Sequence, residues 1–250
     1  MRRLEWLLAV ALLTACSTGS TDRVSTSPAN RLSAEGRMNL GLAEGYLEQN
    51  QLKNAADRAA MALASDPGSA DVHALFGMIH ARNGAQDKAA REFDRALQIA
   101  PADGSILNAH ASWLCERGQT AQADLEFARA LQDVNYRWPF QALANAGRCA
   151  IKAAQWSKAE GYLRRAIEIS PEDGATLVML AETELRQGKV MEAQAFIQRR
   201  DALGSDADTL ELAARIEDAA NNRMSAARYR QRLLEEYPDH VPTGEGARTQ

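Results

Sequence analysis

The sequence has little proline and no excess of positive charge. Seven prolines and 16 glycines in 250 residues are too few for a disordered chain, and a hydrophobic content of 46% can supply a core. Lysine and arginine number 29 against 33 aspartates and glutamates, a formal net charge of −4 with both signs interspersed. Such a balance offers no basic surface, so we exclude nucleic acid as a partner.

Long apolar runs are also scarce, and the one present lies near the amino terminus. Arg2 and Arg3 precede an apolar run over residues 4–13 that only Glu5 interrupts. A run of this length is too short to span a bilayer and is typical of a signal peptide, which we predict over residues 1–15. Residues 16–35 are polar and rich in serine and threonine, which indicates a flexible tether, and residues 239–250 indicate a tail.

Only three cysteines occur, and the first closes the predicted signal peptide. The sequence Leu13-Thr14-Ala15-Cys16 resembles the lipobox of bacterial lipoproteins, in which the cysteine is acylated and becomes the first residue of the mature chain. Ser17, rather than aspartate, follows it, which by the sorting rule of that family implies the outer membrane. We therefore expect a lipid anchor at Cys16 and a domain facing the periplasm. The alternative is a soluble secreted protein in which this cysteine occurs by chance.

Between tether and tail the sequence repeats itself with a period close to 34 residues. We number the places of each unit from its first residue, so that Ala70 is place one of its unit. In this unit small residues fall at places eight, twenty and twenty-seven, and larger ones at seven, eleven and twenty-four. A proline at place thirty-two, Pro101, ends the second helix because it has no amide donor. This is the tetratricopeptide pattern of paired helices, A and B. Equivalent units start near residues 36, 70, 104, 140, 174 and 207, within a predicted domain over residues 36–238.

The pattern predicts an all-α fold, an α-solenoid of about six tetratricopeptide (TPR) repeats whose A helices line a concave groove. The sequence has no P-loop, dinucleotide fingerprint, HExxH or GxSxG motif, so we expect no enzyme, no catalytic residue, no cofactor and no small-molecule substrate. His73, His80 and His110 fall at repeat-signature places and are predicted to pack between helices. A metal site shared by these histidines, in a metal-binding or enzymatic lipoprotein, is the weaker alternative.

The two remaining cysteines, Cys115 and Cys149, fall at places twelve and ten of the A helices of adjacent repeats. Neighbouring A helices run roughly parallel, and an offset of two places is about 3 Å along the axis. A disulfide is therefore compatible with the predicted fold, and an oxidising periplasm would favour it. Two reduced, buried thiols are the alternative.

Three features make the chain similar to the type IV pilus biogenesis and stability lipoproteins, which are pilotins of the pilus secretin. They are the lipobox and tether followed by six repeats, the segment SWLCERGQTAQADLEFARAL, and the insertion NYRWPF followed by ALANAGRCAIKAAQWSKAEGYLRRAI. The resemblance implies a non-enzymatic outer-membrane adaptor that helps the secretin to reach that membrane and to multimerise. A TPR lipoprotein that scaffolds cell-wall enzymes or outer-membrane protein assembly is the alternative within the same fold.

The repeat places also predict where a partner binds. Places two, five, six, nine, twelve and thirteen of each A helix are expected to face the groove, which suits the apolar side of an amphipathic partner segment. In the first two repeats the apolar members are Leu40, Leu47, Leu75 and Met78, and the charged ones are Arg37, Glu44, Glu48 and Arg82. Leu47 and Leu75 could alternatively complete the packing between repeats. A second candidate contact is the insertion, with Tyr136, Trp138 and Phe140.

Overall fold

The structure, a computed structural model, describes residues 32–241 of the chain. The predicted signal peptide, Cys16 and its tether up to residue 31 lie outside the described residues, as does the tail from residue 242. Within residues 32–241 the chain forms twelve α-helices and no strand. None of these helices is both long enough and apolar enough to cross a membrane.

The helices follow one another with short connections. Their bounds are α1 (Ala34–Glu48), α2 (Leu52–Ser65), α3 (Ala70–Arg82), α4 (Gln86–Ile99), α5 (Gly104–Glu116), α6 (Thr120–Ala130), α7 (Pro139–Lys152), α8 (Trp156–Ile169), α9 (Gly174–Arg186), α10 (Val190–Ala202), α11 (Ala207–Ala219) and α12 (Arg223–Glu236).

Each odd-numbered helix packs mainly against the even-numbered helix that follows it, and the resulting hairpins stack in chain order. The A helices α1, α3, α5 and α7 also contact one another in sequence, which places them side by side along one surface. The predicted all-α solenoid of TPR repeats is therefore confirmed.

The turn between the two helices of every repeat uses the same backbone conformation. Its residue at place fifteen has a positive φ, between 53° and 76°, in all six repeats. Glycine and asparagine adopt this left-handed region at low cost, whereas alanine does so only with strain. The six residues are Asn50, Gly84, Gly118, Ala154, Gly188 and Asn221.

Small side chains allow the paired helices to approach closely, as the pattern predicts. Place twenty is a fully buried alanine in all six B helices, namely Ala55, Ala89, Ala123, Ala159, Ala193 and Ala226. In the A helices, Gly77 and Gly147 lie against the side chains of Phe93 and Leu163 of their own repeats. The core is thus a continuous series of seams between helices rather than one central cluster.

Gly147→Ala is expected to lower the free energy of unfolding by about 1–3 kcal/mol because it overpacks the seam. An added Cβ would lie 2.5 Å from Cδ2 and 2.6 Å from Cγ of Leu163, which is completely buried and cannot move aside freely. The control is Gly161→Ala in α8, whose Cβ would meet nothing within 4 Å. It should be neutral or stabilising by up to about 1 kcal/mol. Urea denaturation of the two variants checks this, and equal stabilities would contradict it.

The chain enters the solenoid at Ser33, which is fastened to the end of the first hairpin. The Ser33 hydroxyl accepts a hydrogen bond from the Gly36 amide (3.0 Å) and caps α1, which begins at Ala34, two residues before the predicted domain start. The same hydroxyl donates to Oδ2 of Asp66 at the end of α2 (2.8 Å), and the Ser33 amide lies 3.0 Å from that oxygen. The position at which the tether joins the domain is therefore fixed.

A charged network crosses the seam between α8 and α9. Glu184 of α9 is completely buried, and its carboxylate lies 2.5 Å from Nη2 of Arg164 and 3.4 Å from Nζ of Lys189. Glu160 binds the same two cations, at 2.8 Å and 2.5 Å. Burial alone would raise the pKa of Glu160, but hydrogen bonds from Lys189, Gln187 and Arg164 together lower it to about 2.

Candidate partner-binding groove

A concave groove runs across the first four A helices. Its lining comes from the places that the repeat pattern assigns to the concave side, now including repeats three and four. Uncharged residues at these places that line the groove are Leu40, Ala74, Met78, Ser105, Asn108, Ala109, Ser112, Gln141 and Asn145. The members from α5 and α7 occupy the same places in their repeats as the predicted residues of the first two repeats.

The four predicted apolar groove residues divide into two pairs. Leu40 and Met78 are half-buried and present apolar surface to the groove. Leu47 and Leu75 also border the groove, but both are almost completely buried in the cluster that joins the first two repeats. Their burial favours the alternative that Leu47 and Leu75 complete the packing between the first two repeats, because each side chain fills the space between α1 and α3.

The charged groove residues differ in their partners. Arg37 donates to the carbonyl oxygen of Leu32 (2.6 Å), and Arg82 donates to the carbonyl oxygen of Leu47 near the end of α1. Burial, and then the negative charge of Glu48, raises the pKa of Glu44. Among residues 32–241, no lysine or arginine forms an ion pair with Glu44 or Glu48. The groove therefore carries two adjacent carboxylates whose charges are not neutralised within the domain.

The insertion between the third and fourth repeats lies on the same surface. Tyr136 and Trp138 line the groove together with Leu40, Glu44 and Met78. Trp138 is 53% exposed, and its ring meets that of Tyr136 edge to face, with the centroids 6.4 Å apart. Phe140 is half-buried at the start of α7 and is not among the lining residues. The two predicted contact regions, groove and insertion, thus form one surface.

Tyr136 holds the insertion in place. Its side chain occupies the space beside Gly104, where an added Cβ would lie 2.6 Å from the Cβ and Cγ of Tyr136. Asp133 accepts hydrogen bonds from the amides of Gly104 and Asn135, each at 2.9 Å. Burial, and then the charge of Asp103, raises the pKa of Tyr136 to about 12, so the phenol stays neutral at physiological pH. Trp138 is therefore carried on an anchored loop.

Three contacts of different chemistry join α5 to α7. Asn145 donates from Nδ2 to Oδ1 of Asn108 on the groove side (3.1 Å), and Lys152 pairs with Glu116 at the far end of the helices (2.6 Å). Between them lies a disulfide from Cys115 to Cys149, with a Cα–Cα distance of 5.7 Å. The sulfurs pack with Leu114, Phe127 and Ala146 in the core. The bridge therefore fixes the spacing of two helices that line the groove.

The histidines predicted to pack between helices are not brought together. His73 pairs with Glu92 (2.8 Å), and His110 pairs with Glu126 (2.7 Å) while packing against the rings of Phe93 and Trp113. His80 stacks on Phe76 within α3. The alternative of a metal site shared by these three histidines is therefore not supported. Within residues 32–241, only Asp208, Glu211 and His240 have ligand atoms within 4.8 Å of one another, and Glu211 already lies 3.1 Å from His240.

Comparison with known proteins agrees with the fold. A family model described as "Tetratricopeptide repeat" matches residues 150–216, which span α8 to α10 and most of α11. The structure of PilW, a "widely conserved type IV pilus biogenesis factor", superposes with a TM-score of 0.75 and 27% identity over 83% of this chain and 96% of PilW. The chain therefore has the fold of a tetratricopeptide-repeat (TPR) solenoid.

The chain also has a relative that matches it along almost its whole length. It is 23% identical over 236 residues to the type IV pilus assembly protein PilF of Pseudomonas aeruginosa, covering 94% of this chain and 93% of PilF. The structure of P. aeruginosa PilF superposes with a TM-score of 0.71 and 22% identity over 82% of this chain and 93% of that one, a likeness of fold. The chain is therefore homologous to type IV pilus assembly proteins.

Proposed function

We propose that this protein acts in type IV pilus biogenesis as an outer-membrane lipoprotein, a pilotin, which binds the pilus secretin and promotes its localisation and multimerisation. Similarity to PilW and PilF over nearly the whole domain supports the pilus role. The lipobox at Cys16 supports a lipid anchor that faces the periplasm. Several acyl chains would make that anchor durable, since each buried methylene contributes about 0.8 kcal/mol.

The observation that carries the proposal is the groove itself. A TPR solenoid binds partners through its concave surface, and here that surface presents Leu40, Met78 and an anchored Trp138 together. Exposed aromatic and methionine side chains are enriched at protein interfaces. We infer that the groove binds one segment of the secretin, with the apolar side of that segment on these three residues.

The negative charge of the groove restricts which segment of the partner can bind there. Glu44 and Glu48 are adjacent carboxylates at the groove, and Glu44 is partly desolvated. A lysine or arginine of the partner would pair with them and relieve their mutual repulsion. The segment that fits is therefore apolar on one side, with a basic residue next to it, rather than a free carboxylate terminus.

Met78→Asp and Leu40→Asp are each expected to weaken binding of secretin fragments about tenfold or more, because each buries a charge in the apolar part of the interface. Binding of purified fragments, measured by calorimetry, checks this. The matched controls are Leu125→Asp and Met191→Asp, at exposed apolar residues of even-numbered helices, and both should bind normally. Leu47 and Leu75 are unsuitable as probes because their substitution would unfold the first two repeats.

Wild-type affinity in both groove variants, with unchanged helical content and melting temperature, would mean that the secretin binds elsewhere. In cells, the same variants should reduce secretin multimers, surface pili and twitching motility. If deletion of the gene left these intact but impaired the cell wall or outer-membrane protein assembly, the protein would be a TPR scaffold for those processes. Purified protein that contained a stoichiometric metal ion would favour the third, enzymatic or metal-binding, alternative.

A further inference from the structure

The amino-terminal end of the solenoid exposes apolar side chains at places that are buried in later repeats. Met38, at place three of the first repeat, is 59% exposed, whereas Val72 and Ile106 at the same place are 0% and 1% exposed. In the later repeats the preceding hairpin covers this place, and for α1 no repeat precedes within the described residues. This difference in exposure marks a surface of the first repeat whose apolar residues correspond to buried contacts in later repeats, but against which no described repeat packs.

Two further side chains extend this surface. Leu42, at place seven, is 41% exposed, although Leu180 at the same place is fully buried. Met61 of α2, at place twenty-six, is 47% exposed. Its equivalents Arg129 and Arg199 donate hydrogen bonds to Pro101 and Pro171 of their preceding repeats (2.7 Å and 2.8 Å). We call Met38, Leu42 and Met61 the end face.

The opposite end of the solenoid is constructed differently. In α12 only Ala226 is buried, and its exposed surface carries four arginines and two glutamates around the separate apolar side chains of Met224 and Leu234. A polar outer helix is the usual way in which a repeat array ends in water. The end face lacks such a cap, so its apolar character calls for a cover other than solvent.

The end face lies where the chain enters the domain. Ser33 is fastened to Asp66 at the end of the first hairpin, and Met38 follows Ser33 by little more than one helical turn. Sixteen residues, 17–32, lie between Ser33 and the proposed lipid attachment at Cys16. A chain of that length can reach at most about 55 Å, so the proposed anchor would keep the end face within that distance of the bilayer.

The other possible covers fit less well. Val24 is the only large apolar residue among residues 17–31, so the tether itself offers little to bury the end face. Three partly exposed side chains also form a patch far smaller than the roughly 1,600 Å² total of a stable protein interface, which argues against a second copy. A tethered lipid surface needs no such area, because the tether supplies an effective concentration of about millimolar.

We propose that the end face of Met38, Leu42 and Met61 rests on the surface of the phospholipid bilayer and orients the solenoid relative to the membrane. The proposal relies on the lipid anchor proposed above. Methionine and leucine would enter the region between headgroups and acyl chains. Arg58, whose Nη1 lies 3.9 Å from Sδ of Met61, would place a positive charge beside the lipid phosphates. The groove would thereby be held at a defined height and angle above the membrane.

Methionine oxidation tests this with controls inside the same chain. Residues 16–250 are coupled through Cys16 to maleimide lipids in phosphatidylethanolamine–phosphatidylglycerol vesicles, since Cys16 is the only free thiol when Cys115 and Cys149 are bridged. On vesicles, Met38 and Met61 should react with hydrogen peroxide about fivefold more slowly than in soluble protein whose Cys16 is blocked with a soluble maleimide. A fivefold decrease corresponds to about 80% occupancy of the docked state. Met191 and Met224, 81% and 82% exposed, should react at unchanged rates.

A variant links the protection to the end face. Leu42→Glu should restore the oxidation rate of Met61 on vesicles to that of the soluble chain, whereas Leu234→Glu on α12 should not. Equal rates on vesicles and in solution would overturn the proposal. Slow oxidation of the soluble chain that depends on protein concentration would show that a second copy covers the end face, which would also overturn it. Mass spectrometry of the peptide that carries Cys16, taken from native membranes, tests acylation separately. Failure of the lipid anchor is therefore distinguishable from failure of docking.

Discussion

Replacing both Cys115 and Cys149 by serine is expected to lower the free energy of unfolding by about 3–4 kcal/mol. The bridge joins residues separated by 34 positions in sequence. On the chain-entropy model, closing a loop of that size reduces the conformational entropy of the unfolded chain and so raises its free energy by this amount. Both cysteines are also buried, so the serine hydroxyls would add a smaller cost of their own. Chemical denaturation of the wild type and the double variant gives the difference directly.

The reductant provides the decisive control. Dithiothreitol should destabilise the wild type by a similar amount and leave the double serine variant unaffected. The neighbouring ion pair of Lys152 and Glu116 joins the same two helices, but both side chains are largely exposed. Lys152→Ala should therefore cost at most about 1 kcal/mol. If reduction changed nothing, the bridge would not contribute to stability in solution, whatever its geometry.

The position of the bridge connects stability to the groove. α5 and α7 contribute Asn108, Ser112, Gln141 and Asn145 to the concave surface, and the disulfide sets their spacing from the core side. A solenoid is stabilised mainly by contacts between neighbours, so a covalent link between adjacent repeats stiffens that segment specifically. Partner binding should thus be more sensitive to reduction than the helical content of the whole chain.

Much of the fold was predictable because it depends on side-chain size at a fixed period. The alanines at place twenty and the glycines beside Phe93 and Leu163 leave little choice about which faces meet. The groove was predictable only in part. The repeat places assign Leu40 and Leu47 equally to the concave side, but packing against Leu75 and Ile79 of α3 buries Leu47, whereas Leu40 is only half-buried.

Other features depend on contacts that no period encodes. The insertion could have pointed away from the domain, and it faces the groove because Tyr136 packs beside Gly104 and Asp133 holds the loop amides. Glu184 occupies place eleven, where the pattern expects a large packing side chain. Its burial becomes intelligible only when Arg164 from the neighbouring helix is seen to reach it. The end face is likewise visible only when the exposure of equivalent places is compared.

Arg164→Met is expected to lower the free energy of unfolding by about 3 kcal/mol, because it leaves the buried carboxylate of Glu184 with one distant cation. The physical reason is desolvation: Glu184 has no access to water, and its contact with Lys189, at 3.4 Å, is longer than a good hydrogen bond. The Arg164 guanidinium also lies over the ring of Phe196, 5.4 Å from its centroid, and the thioether of methionine would replace this cation–π contact with a sulfur–aromatic contact of similar size. The loss therefore reports the missing charge rather than a missing contact.

The double variant Arg164→Met with Glu184→Met should recover most of that loss, because it removes the buried charge together with its partner.

The pH dependence of stability provides an independent test of the same network through Glu160. Its pKa falls from 4.5 to about 2 in the folded protein, so its contribution to stability is complete above pH 4.5 and disappears as the pH falls towards 2. Glu160→Gln should therefore flatten the loss of stability over this range. Denaturation of these three variants, the wild type and the single variant Glu184→Met between pH 7 and pH 2.5 measures both effects. Simple additivity of the two methionine substitutions would show that Glu184 and Arg164 are not coupled, and that the seam between α8 and α9 is stabilised by packing alone.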